Sequence, residues 1–188
     1  PYGGGVRGGL YHSQSVEAFF AHVPGLKVVV PSSPHDAKGL LKAAIRDDNP
    51  VLFFEHKLSY NTVLGEVPQG DYLVPIGKAQ IRRYGTQLSL ISYGLSVHHC
   101  LEAAETLSSE GVSCEVVDLR TVRPLDSRTL LESVRKTGRA CIVHEDNLTG
   151  GIGAEVAAII SKDGFEYLDA PVYRVASADV PSFPYSPI

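Results

Sequence analysis

The stretch from Lys27 to Phe54 does most to limit what this chain can fold into. Lys27 to Val30 is apolar and β-branched, and Gly25 and Pro31 bound it, so it reads as a buried strand. Ser33-Pro34-His35-Asp36 then opens a helix. Ser33 can cap it, Pro34 suits the first helical position, and Asp36 faces the positive end of the dipole. Ala37, Leu40, Leu41, Ala44 and Ile45 repeat at helical spacing as the face expected to be buried, and Asp48-Asn49-Pro50 stops the helix. Val51 to Phe54 is a second short apolar run. Strand, helix and strand in such close succession imply two parallel strands joined by a right-handed crossover. A parallel pair needs cover on both faces, which places the chain in the α/β class.

The same alternation returns further on. Leu88 to Tyr93, Cys114 to Leu119, Ala140 to His144 and Val172 to Val175 read as strands. Between them lie three helical patterns. Ser96 is expected to cap the first, whose face is Val97, Cys100, Leu101, Ala104 and Leu107, with Gly111 closing it. Asp126 caps the second, which carries Leu130, Leu131 and Val134, and Gly150-Gly151-Ile152-Gly153 leads into the third, with Val156, Ile159 and Ile160 facing inward. From Lys57 to about Gln80 the periodicity fails, and Pro68, Gly70, Pro75 and Gly77 punctuate it. The expected organisation is therefore one α/β unit over residues 1–63, a linker over 64–87 and a second α/β unit over 88–188.

Composition excludes several classes. With 44% hydrophobic and 20% charged residues, the 188-residue chain can bury a core and is not of the disordered type. Its net charge of -4 is interspersed, so it offers no basic face for nucleic acid. Its apolar runs are too short to span a membrane. Cys100, Cys114 and Cys141 have neither disulfide-framework nor zinc-site spacing and are expected as reduced thiols. No signal peptide is visible. A sequence without Met that opens on a glycine loop and stops at Ser186-Pro187-Ile188 is expected to be part of something longer.

Four constellations are candidates for chemistry. Gly3-Gly4-Gly5-Val6-Arg7-Gly8-Gly9 is a loop that lets backbone pass close to something, and it fits neither the P-loop nor the dinucleotide pattern. A helix is expected from about Ser13 to His22, with Val16, Phe19, Phe20 and Val23 on one apolar face. His12 stands at its start, where the dipole disfavours a charged ring, and a neutral imidazole can both donate and accept a hydrogen bond. Taken alone, such a histidine is more often structural or surface. His144-Glu145-Asp146 ends a strand and is read as a solvated rim in preference to a metal cluster. Asp118 and Arg120 form either an interface pair or a surface ion pair worth ~0–1 kcal/mol.

Beyond this the residues resemble a known family. The motifs are Tyr11-His12-Ser13-Gln14-Ser15 with Glu17-Ala18-Phe19-Phe20-Ala21-His22, Pro24-Gly25-Leu26-Lys27-Val28-Val29, Ile45-Arg46-Asp47-Asp48-Asn49-Pro50 and Phe54-Glu55-His56-Lys57. Val117-Asp118-Leu119-Arg120-Thr121, Pro124-Leu125-Asp126, Lys136-Thr137-Gly138-Arg139 and His144-Glu145 follow in order. As a set they resemble the E1β subunits of 2-oxo acid dehydrogenase complexes. The resemblance implies half of a transketolase-like pyrimidine-binding domain, then a transketolase C-terminal domain. It implies thiamine diphosphate shared with an E1α subunit in an α₂β₂ heterotetramer, Mg²⁺ on the α subunit and a lipoyl-bearing E2 partner. A bacterial cytoplasm or a mitochondrial matrix is the implied compartment. His12 matches the family's active-site histidine, whereas the glutamate that activates the aminopyrimidine belongs upstream of Pro1. Ala44, Ile45, Asp47 and Asn49 match a monovalent-cation site, usually potassium, built from backbone carbonyls. Ser177 departs from the family's usual glycine. The rival readings are a single-chain transketolase-type enzyme and a non-catalytic module of the same fold.

Overall fold

The computed structural model describes residues 1–180, so the end of the second expected unit, 181–188, lies outside the described residues. The chain opens with two short helices, α1 (Gly9–His12) and α2 (Glu17–Ala21). Strand β1 (Lys27–Val29), helix α3 (Pro34–Ile45) and strand β2 (Val51–Phe53) then form the expected crossover, with Lys27 opposite Val51 in a parallel ladder. Ser33 Oγ accepts the Asp36 N–H at 3.2 Å, which is the cap read from the sequence. A one-turn helix, α4 (Ser59–Thr62), follows.

The second part is built on β3 (Gln80–Arg83), β4 (Leu88–Ser92), α5 (Ser96–Ser109), β5 (Cys114–Asp118), β6 (Thr121–Arg123), α6 (Ser127–Thr137), β7 (Ala140–Asn147), α7 (Ile152–Asp163) and β8 (Tyr173–Ser177). Five of these strands make one sheet in the order β3-β5-β4-β7-β8, parallel except for β3. Asp126 caps α6 through the Thr129 N–H at 3.2 Å. Leu95 rather than Ser96 is the cap position of α5, so Ser96 is its first helical residue. Among the described residues no helix is long and apolar enough to cross a membrane, and all three cysteines are free.

Two results differ from the expected division. The stretch 64–87, read as a linker, contains β3, an edge strand of polar sequence that pairs antiparallel with β5. Its ladder is made by backbone groups, so no apolar alternation announced it. In addition, β6 leaves the second part and pairs antiparallel with β1, giving the first sheet the order β2-β1-β6. One core cluster therefore holds Tyr2, Val28 and Phe54 together with Ile91, Leu119, Ile142 and Val156.

A buried ion network reinforces that junction. Arg82 reaches Asp36 at 2.7 Å and Asp118 at 3.0 Å, while Arg120 reaches Asp36 at 3.2 Å. Ser32 donates to Asp118 at 2.5 Å. Both carboxylates are fully buried. Burial pushes the Asp118 carboxyl up, and the Arg82 charge works against that. Asp118 and Arg120 thus join the two parts, which settles their sequence reading in favour of an interface and against a surface pair. The network also turns α3. Its buried side is Asp36, Gly39 and Leu40, while Leu41 and Ile45 of the expected stripe are exposed, Ile45 by 76%.

Candidate active site

His12 does not begin a helix. It is the last residue of α1, and the chain from Ser13 to Val16 is non-helical before α2 starts at Glu17. The serines supply the reason, because short hydroxyl side chains offer backbone and carboxylate partners that compete with a helix. Ser13 Oγ accepts the Gly8 N–H at 2.7 Å, and Ser15 Oγ donates to Glu145 at 3.2 Å. The dipole argument made for His12 therefore does not hold. What the structure gives it instead is an exposed side chain on a fastened backbone. Lys57 Nζ donates to the His12 carbonyl, and the Gly3 N–H donates to the Gln14 carbonyl at 3.1 Å.

The glycine loop is explained by its own neighbours. A Cβ on Gly3 would overlap the His56 ring, and one on Gly8 would overlap Cβ of His12. The close approach inferred from sequence is thus to His56 and His12 of the same chain. Gly3 has a φ of +100°, which also favours glycine.

Helix α2 is inverted relative to its pattern. Phe19 is 75% exposed, and Phe20 and Val23 are exposed too, while Glu17 is fully buried. Tyr93 donates to Glu17 at 2.7 Å. Burial, reinforced by the nearby Asp146 charge, pushes the Glu17 carboxyl up to about 7. The triplet His144-Glu145-Asp146 is no solvated rim either. Alternation along β7 buries His144 and Asp146 on one face and leaves Glu145 half-buried on the other. Burial, with Arg174 nearby, lowers His144 to about 4, and its ring stacks on Tyr93 with centroids 6.2 Å apart. Among the described residues, Glu17 Oε2, both His144 nitrogens and Asp146 Oδ2 are buried without a hydrogen-bond partner.

Glu145 gathers donors from three segments. Oε1 accepts the Gly4 N–H at 2.5 Å and the Ser15 hydroxyl, and Oε2 lies 2.7 Å from His56 Nε2. Burial alone would raise this carboxyl, but the bonds from His56, Gly4 and Ser15 outweigh it and hold the group below its ordinary value. A cleft of about 790 Å³ opens beside it, lined by Ser13, Phe19, Asp146 and Gly151 among others.

Sequence reasoning singled out His12 but passed over Lys57, His56, Ser13 and Ser15 as separate contributors. A signal for two of the participants was present. His56 follows the carboxyl end of β2, and Glu145 lies near the carboxyl end of β7, where α/β sheets gather functional groups.

Known proteins resemble this chain along its whole length. Residues 1–62 match the family described as Transketolase, pyrimidine binding domain, and residues 77–188 match Transketolase, C-terminal domain. The chain belongs to the transketolase family. It is 58% identical over 187 residues to the 2-oxoisovalerate dehydrogenase subunit beta of Bacillus subtilis, covering 100% of this chain and 57% of that one. It is 50% identical to the Pyruvate dehydrogenase E1 component subunit beta of the same organism, covering 99% and 57% respectively. The chain thus spans little more than half the length of these curated relatives. A solved structure described as "Split gene transketolase, inactive beta4 tetramer" superposes with a TM-score of 0.78 at 27% identity, covering 95% of this chain and 56% of that one.

This transketolase-like E1 relationship implies dependence on thiamine diphosphate. His12 is exposed on a held backbone, and Tyr11 beside it is exposed by 88%. The glycine loop is packed against the chain's own side chains, and among the described residues no group of three or more His, Cys, Asp or Glu is arranged to hold a metal ion. At the end of α3, Ala44 O already accepts the Asp47 N–H at 3.3 Å, and the Asp47 carboxylate holds Lys27 at 2.5 Å. Of the four carbonyls matched to a cation site, that of Ala44 therefore already has a partner within the chain.

Proposed function

We propose that this chain is part of the β subunit of a thiamine-diphosphate-dependent 2-oxo acid dehydrogenase, the E1 component that decarboxylates a 2-oxo acid and passes the acyl group to lipoyl-E2. The observation that carries the reading is the 58% identity to a 2-oxoisovalerate dehydrogenase β subunit along the whole chain. Within it, residues 1–63 form part of the pyrimidine-binding domain, the stretch from 64 to the start of β3 connects, and β3 onward forms part of the C-terminal domain. An α subunit completes an α₂β₂ heterotetramer and brings the diphosphate and Mg²⁺ half of the site. The carbonyls of Ala44, Ile45, Asp47 and Asn49 are proposed to take a potassium ion, since carbonyls at a helix end carry partial negative charge. The working compartment is a bacterial cytoplasm or a mitochondrial matrix.

When bound, thiamine diphosphate supplies the nucleophilic carbon and the electron sink for loss of carbon dioxide. His12 is proposed as the acid/base residue. An imidazole can hold a proton on one nitrogen and accept on the other, so it can move a proton at the substrate oxygen or at the lipoyl sulfur. Lys57 keeps its main chain in place. Tyr11, Phe19 and Phe20 offer an exposed apolar surface that an α subunit would cover, keeping water from the reacting atoms.

The test uses the β chain assembled with its α partner, thiamine diphosphate and Mg²⁺, with 2-oxoisovalerate or pyruvate as substrate and 2,6-dichlorophenolindophenol as acceptor. His12→Ala is expected to lower the rate by about 10²–10⁴. A near-normal rate overturns the role of His12. The β chain alone is expected to be inactive. Equal activity with and without α would favour the single-chain transketolase reading, and no activity with α would favour a non-catalytic module.

A further inference from the structure

Three parts of the molecule that are remote in sequence meet at one carboxylate. Glu145 stands near the carboxyl end of β7 in the second part of the chain. The donors it collects, Gly4, Ser15 and His56, all belong to the first part. Gly4 and Ser15 bracket the segment that carries His12, so a single side chain grips that segment on both sides. His56 is the third donor, and its ring lies against Gly3 at the start of the same segment. The next residue, Lys57, donates to the His12 carbonyl. The ties therefore run from Glu145 to the loop ends directly, and to His12 itself through the His56-Lys57 pair. A carboxylate has lone pairs enough to accept three such bonds at once, and bonds to an ionised acceptor are short and directional. Within the segment, Ser13 Oγ ties Gly8 and the Gln14 carbonyl ties Gly3, but α1 is a single turn and the loop from Gly3 to Gly9 carries only Val6 and Arg7 as side chains, so ties from outside it matter.

We infer that Glu145 is a positioning residue, whose grip on Gly4, Ser15 and His56 fixes the loop that presents the His12 imidazole. The inference rests on the reading of His12 as the acid/base residue. It adds that this residue, carried by the first part of the chain, is aimed by a side chain of the second part. The fastening matters because misplacing a reacting group by about 1 Å costs on the order of 10²-fold in rate.

The experiment compares wild type, His12→Ala, Glu145→Gln and the double variant. Each is assembled with the α subunit, thiamine diphosphate and Mg²⁺ and assayed with 2-oxoisovalerate and 2,6-dichlorophenolindophenol. Glu145→Gln is expected to lower kcat about tenfold with KM within about twofold, because aim is lost and substrate binding is kept. The double variant is expected to be no slower than His12→Ala, since a positioning residue has nothing left to aim. Losses that multiply in the double variant, or a wild-type rate for Glu145→Gln, overturn the inference. A wild-type rate for His12→Ala alone overturns the reading of His12 and this inference with it, whereas failure of Glu145→Gln alone leaves His12 standing.

A second readout needs no turnover. In the assembled protein without cofactor, Glu145→Gln is expected to speed amide hydrogen exchange in the peptide covering residues 3–15 at least fivefold, with other peptides unchanged. Unchanged exchange in that peptide overturns the inference. If Glu145→Gln fails to assemble, Ser15→Ala removes one of the three bonds. It is then expected to lower kcat about two- to threefold, again without further loss in the His12→Ala background, and multiplying losses overturn the inference here too.

Discussion

The two parts of the chain obey their own sequence patterns to different degrees. In the second part, Val97, Cys100 and Ala104 of α5, Leu130 and Val134 of α6, and Val156 and Ile160 of α7 are buried, as their helical spacing predicts. In the first part, Phe19, Phe20, Leu41 and Ile45 are exposed, and the polar Glu17 and Asp36 are buried in their place. The second part has a five-stranded sheet with helices that cover it. The first has two strands of its own and takes β6 from the second. An amphipathic stripe reports which face is buried in the working assembly. Where this chain supplies the whole environment, stripe and burial agree. Where the proposed α subunit or further β sequence would supply it, they part.

That contrast can be broken at the junction, where the largest effect is expected. Arg82→Met removes the guanidinium shared by Asp36 and Asp118 and leaves buried carboxylates under-compensated, which should cost about 3–5 kcal/mol in urea unfolding. A loss below about 1 kcal/mol would mean that the apolar core alone joins the two parts.

The inverted helix α2 gives an intermediate effect that depends on pH. Folding raises Glu17 from its ordinary 4.5 to about 7, so the folded protein holds this proton more tightly. The stabilisation from that proton is complete below about pH 4.5 and is lost as pH rises through about 7. Glu17→Gln does not titrate, so its stability relative to wild type should rise by roughly 1–3 kcal/mol between pH 4.5 and pH 8. His144, lowered to about 4, has the opposite slope, contributing stability above its ordinary 6.5 that is lost as pH falls. It is present in both proteins and largely cancels in the difference. A flat difference across that range would show that Glu17 is not held protonated.

The smallest effect on folding tests the exposed face. Phe19→Ala should change the stability of the β chain by less than about 0.5 kcal/mol, while weakening its assembly with the α subunit in sedimentation. A folding cost above about 1 kcal/mol would mean that this ring packs within its own chain.

Much of the fold was legible. The crossover from β1 through α3 to β2, the caps at Ser33 and Asp126, and the parallel strands β4, β5 and β7 all follow from local patterns. Strand β3 and the transfer of β6 were not legible, since backbone ladders between distant segments leave no periodicity in either one. Of the candidate site, His12 was found by resemblance, and the reason first given for it failed because α1 ends there. The bonds from Ser15 to Glu145 and from Lys57 to the His12 carbonyl join residues that only folding brings together, so neither pairing had a local signal.

The sequence by itself determined the α/β class and the order of most elements, because propensity, capping and apolar spacing act over a few residues and survive in any context, while the family followed from the resemblance of its motifs taken as a set. Only the tertiary structure decided which way α2 and α3 face, that the two parts share one core, and that a glutamate from the second part holds the histidine loop of the first. These are balances among burial, charge and hydrogen bonding between segments far apart in the chain, and no local window contains both sides of them.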